Sequence, residues 1–128
     1  MESTLKRTWA EIDLDALGHN YRALRAQMGP RARFLGVVKA DAYGHGAVHI
    51  SRELEALGAE YLAISSVDEA QELRRGGVGL PILQLGLTPV DQTGAVIKSG
   101  VTQAVWSERA AEDFSREAVA AGGRMRAH

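Results

Sequence analysis

"FLGVVKADAYGHG", residues 34–46, carries an apolar run into a lysine and then into a turn rich in tyrosine, histidine and glycine. Residues 34–39 read as a strand. Period-two alternation puts Leu35, Val37 and Lys39 on one face, so an inward Leu35 and Val37 bring Lys39 inward at the strand's carboxyl end. An amine there loses hydration, which favours its neutral form, and a neutral amine attacks carbonyls. The competing reading lets the lysine stem lie along the strand while its ammonium reaches water. Periodicity alone leaves both open.

Working outward, the chain alternates. Upstream, Leu14, Leu17, Tyr21, Leu24 and Met28 are spaced as one helical face, with Asp13 placed to cap it and Gly29-Pro30 to end it. Downstream, Ala47, Ile50, Leu54 and Leu57 mark a second helix, and "YLAIS" (61–65) a second strand. Ser66 and Glu69 have the S-x-x-E spacing of a capping box ahead of a helix with Val67, Ala70 and Leu73 inward. "PILQLG" (81–86) and "VTQAVW" (101–106) read as strands, and Thr88-Pro89 as the start of a weak helix. Ser107 should cap a helix carrying Ala111, Phe114, Ala118 and Ala121, and "RMRAH" (124–128) opens a fifth strand. Two architectures share this rhythm, the open doubly wound sheet and the eight-stranded barrel. A barrel typically needs about 250 residues, so 128 residues hold about half of one.

Composition narrows the class. The chain is 45% hydrophobic and 24% charged, a globular rather than disordered balance. A net charge of −1 offers no general attraction to nucleic acid or to an anionic membrane. No apolar run is long enough to span a bilayer or to act as a signal peptide, so a cytoplasmic protein is the expectation. The absence of cysteine excludes disulfides and thiolate metal sites.

Parallel α/β folds place working residues after the carboxyl ends of strands. Ala40 to His45 is the loop richest in functional groups. Tyr43 could set its hydroxyl over the site to bind a phosphate, or pack as an ordinary loop aromatic. Asp41 could pair with a cation or fix the turn through the backbone. Gly44 and Gly46 allow unusual backbone angles. Gly44-His45-Gly46 has the position of a dinucleotide fingerprint, but His49 stands at its last glycine. His45 and His49 have metal-ligand spacing without the glutamate a zinc protease needs, so no metal is expected. Trp9 and Trp106 read as packing residues, and the charges along 108–117 as a solvated helix face.

Taken together, "VVKADAYGHG" (37–46) closely resembles the pyridoxal-phosphate lysine motif of alanine racemases. "TWAEIDLDALGHNYRALR" (8–25) resembles that family's opening strand and first helix, "ILQLG" (82–86) an apolar strand lining the cofactor, and the final "RAH" its next barrel strand. The resemblance implies a TIM-type (β/α)8 barrel followed by a mostly β domain, working as a homodimer. Residues 13–128 then form the N-terminal half of the barrel, and 1–12 a strand segment that packs with the β domain. By the same resemblance, Lys39 anchors pyridoxal 5'-phosphate covalently and acts as one base, Tyr43 contacts its phosphate, and Val37 and Leu85 line its pocket. The implied reaction interconverts L- and D-alanine, the latter for peptidoglycan. A broader amino-acid racemase or a non-catalytic pyridoxal-phosphate-binding barrel protein are the alternatives. The family's second base, a tyrosine of the partner subunit, and its substrate arginine would lie beyond His128. These 128 residues by themselves are therefore expected to have negligible racemase activity, and a half-barrel to leave strand edges near 34–39 and 124–128.

Overall fold

Each expected strand pairs with its sequence neighbour. The computed structural model describes residues 8–128. In chain order it contains α1 (Leu14–Gln27), β1 (Leu35–Val37), α2 (Lys39–Gly44), α3 (Ala47–Ala56), β2 (Tyr61–Ile64) and α4 (Val67–Arg75). There follow β3 (Ile82–Gln84), a 3-10 turn (Val90–Gln92), α5 (Thr93–Lys98), β4 (Val101–Gln103), α6 (Glu108–Ala120) and β5 (Arg126–Ala127). All neighbouring strands are parallel, in the order β1-β2-β3-β4-β5. A doubly wound sheet reverses its order at a switch point, and this one does not. Right-handed crossovers in a sequential order leave their helices on one side, which is how a barrel grows. β1 and β5 lie at the two edges, as expected.

The register sorts the side chains. Gly36, Leu62, Ile82 and Val101 are aligned, as are Ile64, Gln84 and Gln103, and all are buried beneath the helices. Ile50 and Leu54 of α3, Val67, Ala70 and Leu73 of α4 and Val96 of α5 complete that core. The opposite face carries Leu35, Val37, Tyr61, Leu83 and Thr102, none of them fully buried, around the small, fully buried Ala63. It is the face that becomes the packed interior when a barrel closes. Leu35 and Val37 thus do point to the barrel's inner side, yet Val37 is 41% exposed.

Local signals behave as their chemistry dictates. Asp13 accepts from the Ala16 N–H at 2.9 Å, and Ser107 from the Ala110 N–H at 3.1 Å, so both caps form. Ser66 and Glu69 close the capping box of α4. The α1 stripe is narrower than its periodicity suggests: Tyr21 is buried, edge-on to Phe34 with centroids 4.7 Å apart, while Leu14 and Leu24 are exposed. On α6, Phe114 and Ala118 are buried but Ala111 and Ala121 are not. Thr88-Pro89 does open a weak helix, a 3-10 turn from Val90 that runs into α5 at Thr93, with Pro89 as its cap residue; the Thr88 hydroxyl itself is taken by Gln84 and Gln103. Trp9 and Trp106 are mostly exposed rather than packed, because one precedes α1 outside any element and the other follows β4 onto the rim. Residues 8–13 form no strand, and positions 1–7, which the expected segment 1–12 includes, lie outside the described residues.

Candidate active site

The backbone after β1 is the most unusual part of the molecule. Val38 makes the last ladder bond, donating to the Ala63 carbonyl at 2.9 Å, and then leaves the extended region at ψ 18°. Ala40, Asp41, Ala42 and Tyr43 follow with φ between 51° and 56°, one turn of left-handed helix. For residues with a Cβ that conformation costs roughly 1–2 kcal/mol each, on the order of 4–8 kcal/mol for four. Strain of this kind persists only where surrounding contacts over-determine the backbone, and it gathers at functional sites.

Those contacts can be named. The Ala42 N–H donates back to the Val38 carbonyl at 2.9 Å, and the Ala42 side chain is buried. The Gly46 N–H donates to the Asp41 carbonyl at 3.0 Å, while Asp41 Oδ1 accepts from the Ala47 N–H at 2.7 Å. Asp41 therefore fixes the turn and caps α3, the second of its two sequence readings. Gly44 and Gly46, at φ 88° and 90°, return the chain to a right-handed helix. From outside the turn, Glu69 Oε1 accepts from the Ala40 N–H at 2.7 Å. The other carboxylate oxygen accepts from the Ser65 N–H at 2.7 Å, and from the Ser65 hydroxyl and Ser66 N–H at 3.1 Å each. Desolvation pushes the Glu69 pKa up, but the donors from Ser65, Ala40 and Ser66 together hold it below the ordinary carboxylate value.

The sequence-derived site residues gather on this rim. Lys39 is half-buried between β1 and the left-handed turn, with Val37 beside it on the open face. Leu85, also half-buried, continues β3 by donating to the Ile64 carbonyl at 2.8 Å. The register sets Val37, Ala63 and Leu83 at one level, with Val37 and Leu83 two strands apart, about 10 Å in the hydrogen-bonding direction; Lys39 and Leu85 each follow two residues later. Tyr43 ends the turn and is 61% exposed. His45 precedes α3 and bonds through Nδ1 to the Ala42 carbonyl, whereas His49 sits within the helix, so the two do not share a helical turn. The rim thus presents an amine on a rigid turn, apolar neighbours and a free phenol edge. Those are the elements an aldehyde coenzyme with a phosphate arm requires.

A second network lies under the adjacent loop. Gln84 donates to the Thr88 hydroxyl, which donates to Gln103 Oε1. Gln103 Nε2 donates to the Gly86 carbonyl at 2.9 Å and the Ala104 carbonyl at 2.8 Å. All three side chains are buried, and Gln84 Oε1 has no partner among the described residues. A Cβ on Gly86 would collide with the Ser65 carbonyl, so only glycine lets the Leu85 loop approach the end of β2 this closely. Sequence reasoning missed this network, the left-handed turn and the Glu69 bond to Ala40. The S-x-x-E spacing announced the cap but not its reach into another loop.

No helix among the described residues is long and apolar enough to cross a membrane. The chain is 41% identical over its full 128 residues to an alanine racemase of Desulfovibrio desulfuricans, covering 34% of that protein. Superposition on an alanine racemase of Clostridium difficile 630 gives a TM-score of 0.92 at 38% identity, covering 99% of this chain and 34% of the other. An alanine racemase of Bacillus anthracis with bound L-Ala-P gives 0.87 at 31% identity, covering 99% and 33%. The chain spans about a third of the length of these relatives. The five-stranded parallel sheet and its helices match part of the alanine racemase barrel domain. The family model for the alanine racemase N-terminal domain matches residues 12–128, and the chain belongs to that family.

Proposed function

We propose that this chain supplies the lysine-bearing half-barrel of a pyridoxal-phosphate-dependent racemase interconverting L- and D-alanine in the cytoplasm, for peptidoglycan. Residues 13–128 are its first half-barrel and 1–12 the segment that meets a later β domain in a homodimer. The observation that carries the reading is Lys39, held at the inner rim by a left-handed turn, in a chain of this family. The L-Ala-P bound to the Bacillus anthracis relative supports alanine as the substrate class.

The residues present fit the coenzyme. Lys39 would be the covalent anchor, Val37 and Leu85 would line the pocket, and Tyr43, which is largely exposed, would contact the phosphate. Bound there, pyridoxal phosphate supplies an electron sink for negative charge at the substrate Cα. Lys39 Nζ, when not engaged as anchor, takes or returns the Cα proton on its own side. Racemisation needs a second base on the opposite face, and a tyrosine of the partner subunit's β domain fills that role in this reading.

The test is chemical. The chain is incubated with pyridoxal phosphate, reduced with borohydride and mapped by peptide mass. The pyridoxyl group is expected on Lys39; labelling at Lys98 or Lys6 in its place would defeat the assignment. In a parallel assay the 128 residues should show negligible alanine racemisation and the full-length protein rapid turnover.

A further inference from the structure

We propose that Glu69 is a positioning residue for Lys39: its carboxylate bridges the backbone immediately after the lysine to the end of β2. The inference rests on the reading of Lys39 as the coenzyme anchor. Among the described residues, Glu69 is the only side chain from beyond the β1–α3 connection that bonds into it. It reaches the Ala40 N–H, which belongs to the same peptide plane as the Lys39 carbonyl. Fixing that plane fixes ψ of Lys39, and with it the direction in which the side chain leaves the rim.

A capping box requires only the exchange between Ser66 and Glu69. The bond from Ala40 to Oε1 is additional, made by the oxygen that the cap leaves over. Oε2 meanwhile holds Ser65, whose carbonyl packs against Gly86 next to Leu85. One carboxylate therefore sets the spacing between the Lys39 and Leu85 segments. No ion pair among the described residues includes Glu69 or Lys39. Glu69 acts through the backbone, its charge met by N–H donors and by the first turn of α4.

Glu69→Gln keeps the shape but turns one acceptor into an amide that faces an N–H donor. Ser66→Ala weakens the same cap and leaves the Ala40 bond intact. Borohydride trapping of pyridoxal phosphate at Lys39 should slow about tenfold in Glu69→Gln, the loss of a charge-assisted bond, and less than about twofold in Ser66→Ala. Trapping at Lys98 should be unchanged in both. The visible circular dichroism of the attached coenzyme should weaken only in Glu69→Gln. Equal trapping in Glu69→Gln and wild type, or equal slowing in the two variants, would overturn the proposal. Absence of Lys39 trapping in the wild type would instead strike at the anchor reading. Amide hydrogen exchange on the unmodified chain then decides for the brace, as it does if Glu69→Gln does not fold. Protection of Ala40 comparable to helix interiors supports it, and exchange at the free-peptide rate overturns it.

Discussion

After β1 the chain enters a left-handed turn whose backbone donors converge on an ionised carboxylate. After β3 it enters a loop held by three neutral side chains, Gln84, Thr88 and Gln103. The two loops are neighbours on one rim, and the difference follows from their depth. Glu69 stands at a partly exposed helix start where a charge keeps some hydration, so it can offer two oxygens to four donors. Gln84 and Gln103 are buried between sheet and helices, where an unpaired charge would be prohibitive and neutral amides bond to neutral partners, Gln84 through its Nε2 alone. Strained backbone at the lysine is stabilised by strong, charge-assisted bonds; unstrained loop at Leu85 is stabilised by buried, cooperative ones.

The largest expected effect comes from breaking the neutral side. Gln103→Ala strips the Thr88 hydroxyl of its acceptor, leaves the Gly86 and Ala104 carbonyls without their donor, and opens a cavity. A loss of about 3 kcal/mol or more is expected in urea unfolding. A loss below 1 kcal/mol would mean that water replaces the network without penalty. Asp41→Ala, on the strained side, removes the bond to the Ala47 N–H and should lower stability by about 1 kcal/mol, read from the same midpoints. An effect exceeding that of Gln103→Ala would invert the comparison.

The smallest effect separates the two sides by pH. Glu69 and Glu60 both have folded-state pKa values below the ordinary glutamate value. For Glu60 the leading cause is the Phe34 N–H, at 2.7 Å, with Arg25 at 2.6 Å adding to it. A depressed carboxyl stabilises the fold above the ordinary value and loses that contribution as pH falls through the folded-state value. Unfolding midpoints should therefore decline on acidification below about pH 5. The decline should be shallower in Glu69→Gln, and its slope unchanged in Gln103→Ala, whose network does not titrate. Equal slopes in Glu69→Gln and wild type would show that the carboxylate is not held ionised by its donors.

Much of this was legible beforehand in local patterns. Asp13, Ser66 and Ser107 cap helices because a short polar side chain before an apolar period has one outlet, the free N–H groups ahead of it. The strand positions followed from the apolar runs, although β1 stops at Val37 and Lys39 already belongs to the turn rather than to the expected strand 34–39. Lys39 was singled out by the motif around it. Other features were out of reach. Leu14, Leu24, Ala111 and Ala121 have helical spacing, but how wide a stripe is buried depends on what packs against it. The use of the Thr88 hydroxyl was hidden too, because its partners, Gln84 and Gln103, are brought to it only by the pairing of β3 with β4.

By itself, then, the sequence determined the alternation of strand and helix, the caps, the family motif and the lysine on which the chemistry is expected to turn. These depend on interactions within a few residues, whose geometry the backbone already restricts. Only the tertiary structure decided that the sheet runs in unbroken order, that Ala40 to Tyr43 wind left-handed, and that Glu69 braces them from 29 positions downstream. A left-handed turn of alanine, aspartate and tyrosine is unfavourable locally, so it exists only where distant donors and acceptors converge to hold it.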